Sequence, residues 1–540
     1  LPWSGKVLPH YGNDLPRYGK GLPSGFSRFF VPFSRRLTQD FSMSIQDPPR
    51  GFINVLRKMG PGMILAGSIV GSGELIATTR TGAEAGFSFL WIILLGCLIK
   101  VFTQIEFARY SISSGRTTLR AFLDVPGGAV IFALWFIMFV IGIGQLGGIV
   151  GGVGQALAIS VPLTEKGREY NEAMAGQMAK IVELQQAGRD GENLPAAEAS
   201  SRREGINAEI RDLKERLKPK DAIIWCILIG VLTAIILYIG NFGFIEAFCV
   251  VMVVLFTFIT IGNAVALQTQ DAWAMTLAGW RADGWLMPDG TDKWGALTTA
   301  LAAFGIIGVG ASEIVAYPYW CLEKGYGKWT GPRDASTRWA ERAQGWIRVM
   351  HYDAWGSMVL YTISTIAFYI LGASVLHRIG LVPEKSEMVR TLSVMYEPVF
   401  GKGGQLIFLF GAFAVLFSTF FVANAQKARL FADVFVILCK LDDSRRVPLV
   451  RFFSALLPLM CVVVFVFYQQ PVVLVLISGV IQSLLLLPLG IAALYFRYFK
   501  TDPRLRPGPF WDVLLWLSVI CFAVIGLYLA MTKILGYVGG

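Results

Sequence analysis

Charge is scarce in this chain, and histidine scarcer still. Of 540 residues 16% are Asp, Glu, Lys or Arg against 54% hydrophobic, and the three histidines are His10, His351 and His377. Apolar runs repeatedly reach the roughly 18–25 residues that a bilayer-crossing helix needs, which excludes an ordinary water-solvated domain. The seven cysteines form no CxxC pair and no zinc spacing, so neither a disulfide framework nor a zinc site is expected. HExxH and GxSxG are both missing, which removes the motif case for an intramembrane protease or hydrolase; no enzyme activity is expected. Residues 1–42 lack methionine and have no apolar core of the signal-peptide kind. Residues 1–58 are expected to form a cytoplasmic arm, with Met43 as the alternative start.

What is present is a series of about eleven apolar spans, near 60–79, 87–108, 128–160, 222–240, 244–267, 296–320, 354–377, 404–424, 447–468, 471–496 and 511–536. The fold class is therefore an all-α polytopic membrane protein. The net charge of +11 does not point to nucleic acid, because Lys and Arg collect in short connections between spans, where they set orientation. With the N-terminus inside, every second connection is basic; eleven spans then leave the C-terminus outside. Residues 161–221 are polar and rich in Ala, Glu, Lys, Arg and Gln, interrupted by AGRDGENLP. They read as a helical hairpin on the outer side. Residues 333–350 read as an amphipathic helix along the inner surface, and Asn424, Lys427 and Arg429 as interfacial anchors.

Against this background VGSGELIA at 70–77 and VGASEIVA at 309–316 stand out. They align without gaps and place Glu74 and Glu313 in the first and sixth spans, one of each half, an arrangement expected of an inverted repeat. A lone carboxylate at mid-membrane costs several kcal/mol or more unless it faces a cavity, a partner or an ion. Gly71 and Gly310 would let the backbone leave helical geometry, freeing carbonyls beside each carboxylate. The two glutamates are expected to face each other across a central site. Each taken alone also fits a structural, hydrogen-bonded role.

GPGMILAGSIVGSGELIATTRTGAEAGFSFLWIILLGCLIKVFTQ at 60–104 resembles the first two helices of the Nramp family of divalent metal transporters. Further similarity lies in SSG after Arg109, GFIEAF at 243–248, GIIG at 305–308 and Leu487-Pro488. The resemblance implies eleven spans and the LeuT-type 5+5 inverted repeat with broken helices 1 and 6. Residues 59–268 would be the first repeat, 296–496 the second and 511–536 a final helix. The site departs from the family: Gly71-Ser72-Gly73-Glu74 stands where the family carries Asp-Pro-Gly-Asn, and the Met-Pro-His of helix six has no counterpart near 310–316. Position 74 alone transfers as a ligand; Glu313 is inferred from the internal repeat.

Loss of the soft thioether leaves carboxylates, carbonyls and hydroxyls, a set that suits Mg²⁺ or Mn²⁺. The expected cation site is Glu74, Glu313, Gly71 and Gly310. Ser72, Gly73, Ala311, Ser312, Tyr317, Gln482 and Gln145 would line the substrate cavity, and Glu106 with Arg109 would form an ion pair that could gate the inner side. No resident cofactor is expected; the partners are the cation and membrane lipid. A buried carboxyl that holds no cation can hold a proton instead, so proton (H⁺) exchange at the site is open but not implied. The competing readings are a LeuT-fold transporter of an amino acid or amine, and a channel. The expected location is the inner membrane of a bacterium.

Overall fold

The computed structural model describes residues 45–538 apart from 190–195, 241, 272, 277–280, 282–283, 285, 289–292 and 384–386. The arm expected over 1–58 thus lies almost wholly outside the described residues. Among the described residues every regular element is helical, and a helix stands at each of the eleven expected positions. Helix α1 covers 61–85, α2 Leu90–Ser114, α3 Gly128–Ser160, α4 Asp221–Ile239 and α5 Phe242–Leu267. Helix α6 is Lys293–Ile306 followed by Ala311–Lys324, and α7 is Thr337–Leu371. Then come α8 Gly404–Leu438, α9 Arg446–Phe467, α10 Pro471–Tyr495 and α11 Pro509–Val538. Among the described residues nine of these are long and apolar enough to cross a bilayer, the bent α1 makes a tenth, and α5 offers the shorter apolar stretch Val254–Leu267. This is an integral membrane protein.

Packing places α1, α2 and α6 inside the bundle. Helix α3 packs on α8 and α10, α10 on the first half of α6, α7 on α1 and α2, and α11 on α2 and α10. Small residues permit the closest approaches: a Cβ on Gly148 of α3 would stand 2.6 Å from the Pro471 carbonyl at the start of α10. Without a hydrophobic drive between helices in lipid, such backbone proximity is a main source of packing energy.

Residues 333–350 do not form a separate surface helix. Thr337–Leu371 is one continuous helix, opened by Ser336, whose hydroxyl accepts from the Trp339 amide at 3.1 Å. The reason lies in its tryptophans. Trp339 and Trp346 are fully buried; the Trp346 indole donates to the Gln46 carbonyl at 2.9 Å and packs against Trp329, ring centroids 4.5 Å apart. The aromatic face that suggested a membrane surface is covered by protein.

The polar insertion forms the expected hairpin, Glu165–Arg189 and Ala196–Leu217, with a small core of Tyr170, Met174, Leu213 and Leu217. Asp221 clasps its base: the carboxylate accepts from the Leu163 amide at 2.6 Å, the Thr164 amide at 2.9 Å and the Thr164 hydroxyl at 2.6 Å. The hairpin also docks on the α7–α8 connection, where Tyr170 donates to Glu387 at 2.7 Å and Arg390 to Asn171 at 2.7 Å.

Candidate functional site

The two repeated motifs break their helices differently. Helix α6 stops outright: Ile306 ends its first half, Gly308 takes φ +53, and Gly310, extended at φ −70 and ψ 173, caps the second half. Helix α1 does not unwind at Gly71 as expected. Val70–Thr78 keeps its hydrogen bonding as a stretch of wide π turns, and Pro61–Ile69 meets Gly73–Ala85 at 41°. Such turns insert extra residues into a helix and are frequent at functional sites. Gly71 turns toward α8, where its amide donates to the Thr419 hydroxyl at 3.0 Å and that hydroxyl donates to the Gly67 carbonyl at 3.1 Å. A Cβ on Gly73 would stand 2.9 Å from the Ile306 carbonyl, so glycine lets α1 touch the α6 break.

Replacing Gly308 by alanine tests the break directly. The left-handed conformation costs an L residue about 1–2 kcal/mol, and the added Cβ would meet the Tyr361 ring at 2.9 Å and the Cys97 backbone at 3.3 Å. The expected outcome is a fall of several degrees in the thermal unfolding temperature of the detergent-purified protein, with Gly51→Ala, whose Cβ meets nothing within 4 Å, as the comparison for positive φ alone.

Glu74 and Glu313 do not share one chamber in this structure. Glu74 is fully buried. Its Oε1 accepts from the Gly308 amide at 3.1 Å and the Thr365 hydroxyl at 3.2 Å, while its Oε2 has no hydrogen-bond partner among the described residues. Glu313, in the first turn of the second half of α6, accepts from the Ser312 hydroxyl at 2.6 Å. It opens on a separate cavity of about 10 Å³ lined also by Ser68, Gln145, Ser312, Thr419, Gln426 and Lys427, room for one water or a bare ion. Gln482 sits at its edge. Its Oε1 accepts from the Ser312 amide at 3.3 Å, and its amide donates to Gln145 Oε1 at 2.9 Å, which also accepts from Ser478 at 2.9 Å.

Gly310 belongs beside this cavity, since a Cβ there would stand 2.9 Å from Gln482 Oε1. Ala311 is fully buried. The Ser72 side chain lies outside the described residues. Tyr317 is not in the cavity: its hydroxyl donates to Asp353 of α7 at 2.9 Å. That carboxylate also accepts from the Gly60 and Gly62 amides at 2.8 and 2.6 Å, capping the positive start of α1. Glu106 and Arg109 do pair, at 3.1 Å. Their other contacts are the Trp511 indole at 2.7 Å, the Leu505 carbonyl at 3.0 Å and His351 at 3.0 Å, so the pair knits α2 to α7 and α11 instead of facing the Glu313 cavity.

Sequence reasoning missed two lysines. Lys100 of α2 is fully buried, with its ammonium on the Phe304 carbonyl at 2.6 Å and on the Ile307 carbonyl. Lys427 is not an interfacial anchor: it is 6% exposed, lines the Glu313 cavity and lies over the Phe139 ring at 5.0 Å. Among the described residues its ammonium has no hydrogen-bond or ion-pair partner. Asn424 is fully buried, and Arg429 pairs with Glu323 at 2.8 Å. A single cation inside the apolar run 87–108 was the available signal for Lys100; Lys427, past the run 404–424 and two residues before Arg429, carried no such signal. Among the described residues no three His, Cys, Asp or Glu side chains gather as a metal-holding group. The donors at the cavity are one carboxylate with amide and hydroxyl oxygens.

Comparison with known proteins agrees with this architecture. The model of the Nramp family, described as natural resistance-associated macrophage protein-like, matches residues 217–532, more than half of the chain. A metal transporter, Nramp2 of Populus trichocarpa, is 28% identical over 114 residues; that match spans 21% of this chain and only 21%, about a fifth, of the relative. A crystal structure of the Eremococcus coleocola manganese transporter, in complex with an aromatic bis-isothiourea substituted compound, superposes with TM-score 0.57 at 15% identity, covering 92% of this chain and 91% of that one. A mutant of that transporter gives 0.57 at 16% over the same shares. At such identity the likeness shows the fold, and the span order, with a bend in the first helix and a break in the sixth, is its LeuT-type five-plus-five inverted repeat. On the family match, the chain belongs to the Nramp family.

Proposed function

We propose that this protein is a secondary transporter of divalent metal cations, with Mn²⁺ or Mg²⁺ the favoured cargo, bound at the α6 break. The observation that carries this reading is the oxygen-lined cavity in which Glu313 meets Ser312, Gln145 and the edge of Gln482. Carboxylate, amide and hydroxyl oxygens without sulfur or imidazole suit hard cations. The names of its relatives, a metal transporter and a manganese transporter, support the same class. Alternating access would follow from rocking of the two repeats about the breaks, with Glu74 joining the cation in another state of the cycle. Protonation of either carboxyl between cargoes would carry H⁺ in exchange. The basic connections favour an inside N-terminus, which leaves the hairpin outside.

Lys427 favours a second reading, because an ammonium and a carboxylate on one cavity also suit the two ends of a small zwitterion such as an amino acid, provided that the cavity, here no larger than a water, widens in another state of the cycle. One variant separates the two. For a metal, Lys427→Met removes a repelling charge and is expected to tighten Mn²⁺ binding at least tenfold by calorimetry, on the order of 1.4 kcal/mol or more. If Lys427 instead holds a substrate carboxylate, the variant gains no metal affinity and loses amino-acid uptake.

A further inference from the structure

The break in α6 leaves an electrostatic problem that Lys100 answers. In an unbroken helix the Gly308 amide would bond the Phe304 carbonyl; here it donates to Glu74 at 3.1 Å. The ammonium of Lys100 takes over the Phe304 carbonyl at 2.6 Å and the Ile307 carbonyl with it. Two further buried oxygens beside the break, Glu74 Oε2 and the Tyr361 hydroxyl, lack hydrogen-bond partners among the described residues, and a Cβ on Gly308 would stand 2.9 Å from the Tyr361 ring. Backbone carbonyls at the negative end of a half-helix, a carboxylate and a hydroxyl are the ligands that hold a monovalent metal ion at a broken membrane helix.

We propose that the chamber at this break is a monovalent-cation site that the chain fills with its own ammonium. Lys100 supplies the single positive charge that holds the first half of α6 against α1, so the break needs no ion from solution. The site is distinct from the cavity of Glu313 and does not depend on which cargo that cavity takes. A free alkali ion becomes a ligand only when the ammonium is removed.

The test is thermal unfolding of the full-length protein in detergent, in Na⁺, K⁺ or N-methyl-D-glucamine chloride at equal ionic strength. The wild type is expected to unfold at one temperature in all three. Lys100→Ala, which vacates the chamber, is expected to unfold earlier in N-methyl-D-glucamine and to regain about 3–6 °C with saturating Na⁺ or K⁺. Lys100→Met, which fills the volume without charge, is expected to be destabilised and to gain nothing from either ion. A Lys100→Ala protein indifferent to alkali ions, or a wild type that depends on them, overturns the proposal. If Lys100→Ala cannot be purified, Lys100→Gln, whose amide can satisfy one carbonyl, carries the same comparison: a smaller saturable gain supports the site, and none overturns it. Divalent-cation binding plays no part in this readout, so failure here and failure of the metal reading are separable.

Discussion

Glu313→Gln is expected to weaken Mn²⁺ binding and uptake by on the order of a hundredfold or more, the largest functional effect of any single change considered. Glutamine keeps the shape and one oxygen but removes the only carboxylate that the described residues place on the cavity, and a divalent ion in a partly dry site draws several kcal/mol from each unit charge it faces. Proteoliposome uptake of Mn²⁺ with calorimetry of the same preparation checks this, and an unfolding temperature close to wild type would confine the effect to the site. Glu74→Gln serves as the comparison. In this structure Glu74 bonds Gly308 and Thr365 and does not line the cavity, so its variant should bind Mn²⁺ better than Glu313→Gln does. Equal loss in both would mean that the two carboxylates share the ion in another conformation. Unchanged binding in Glu313→Gln would sink the metal site as drawn.

The largest effect on stability is expected from Asp353→Ala. One carboxylate ties the first amides of α1 and the hydroxyl of Tyr317 on α6 to α7, so both broken helices hang on it. Its removal leaves the Gly60 and Gly62 amides without acceptors and the Tyr317 hydroxyl with only its longer bond to the Met350 carbonyl at 3.3 Å; each lost acceptor costs about 1–3 kcal/mol, and hydrogen bonds to a charged group are the stronger kind. A total of about 3–5 kcal/mol follows, enough to lower the yield of folded protein sharply. Asp353→Asn retains one acceptor oxygen and should fall between. Thermal unfolding of the three proteins side by side decides it: equal stability would show that water replaces the cap.

The spans could be read from the sequence because each is a predominantly apolar run, a local property. The repeated glutamates could be read because a carboxylate amid such residues is costly wherever it points. What could not be read is rotation and partnership. Lys427 and Arg429 are two residues apart, yet one enters the cavity and the other pairs with Glu323; only the packing of α8 separates them. Asp353 reaches Gly62 across 291 residues of sequence, and nothing local in either segment announces the other. The facing of Glu74 and Glu313 was expected from their symmetry, but α1 retained wide turns where α6 broke, and the carboxylates fell on different sides of that break. The tryptophans at 339 and 346 misled because an aromatic face looks alike whether lipid or protein covers it.

Because Asp221 is hydrogen-bonded to Leu163 and Thr164, the chain leaves the membrane bundle and returns to it at almost the same point. Everything between is a loop closed at its neck. A rigid soluble domain whose own ends lie close together can therefore be spliced in place of the hairpin's outer part without pulling α3 and α4 apart. Such a graft would give this small, mostly lipid-embedded particle the asymmetric mass by which electron microscopy aligns images.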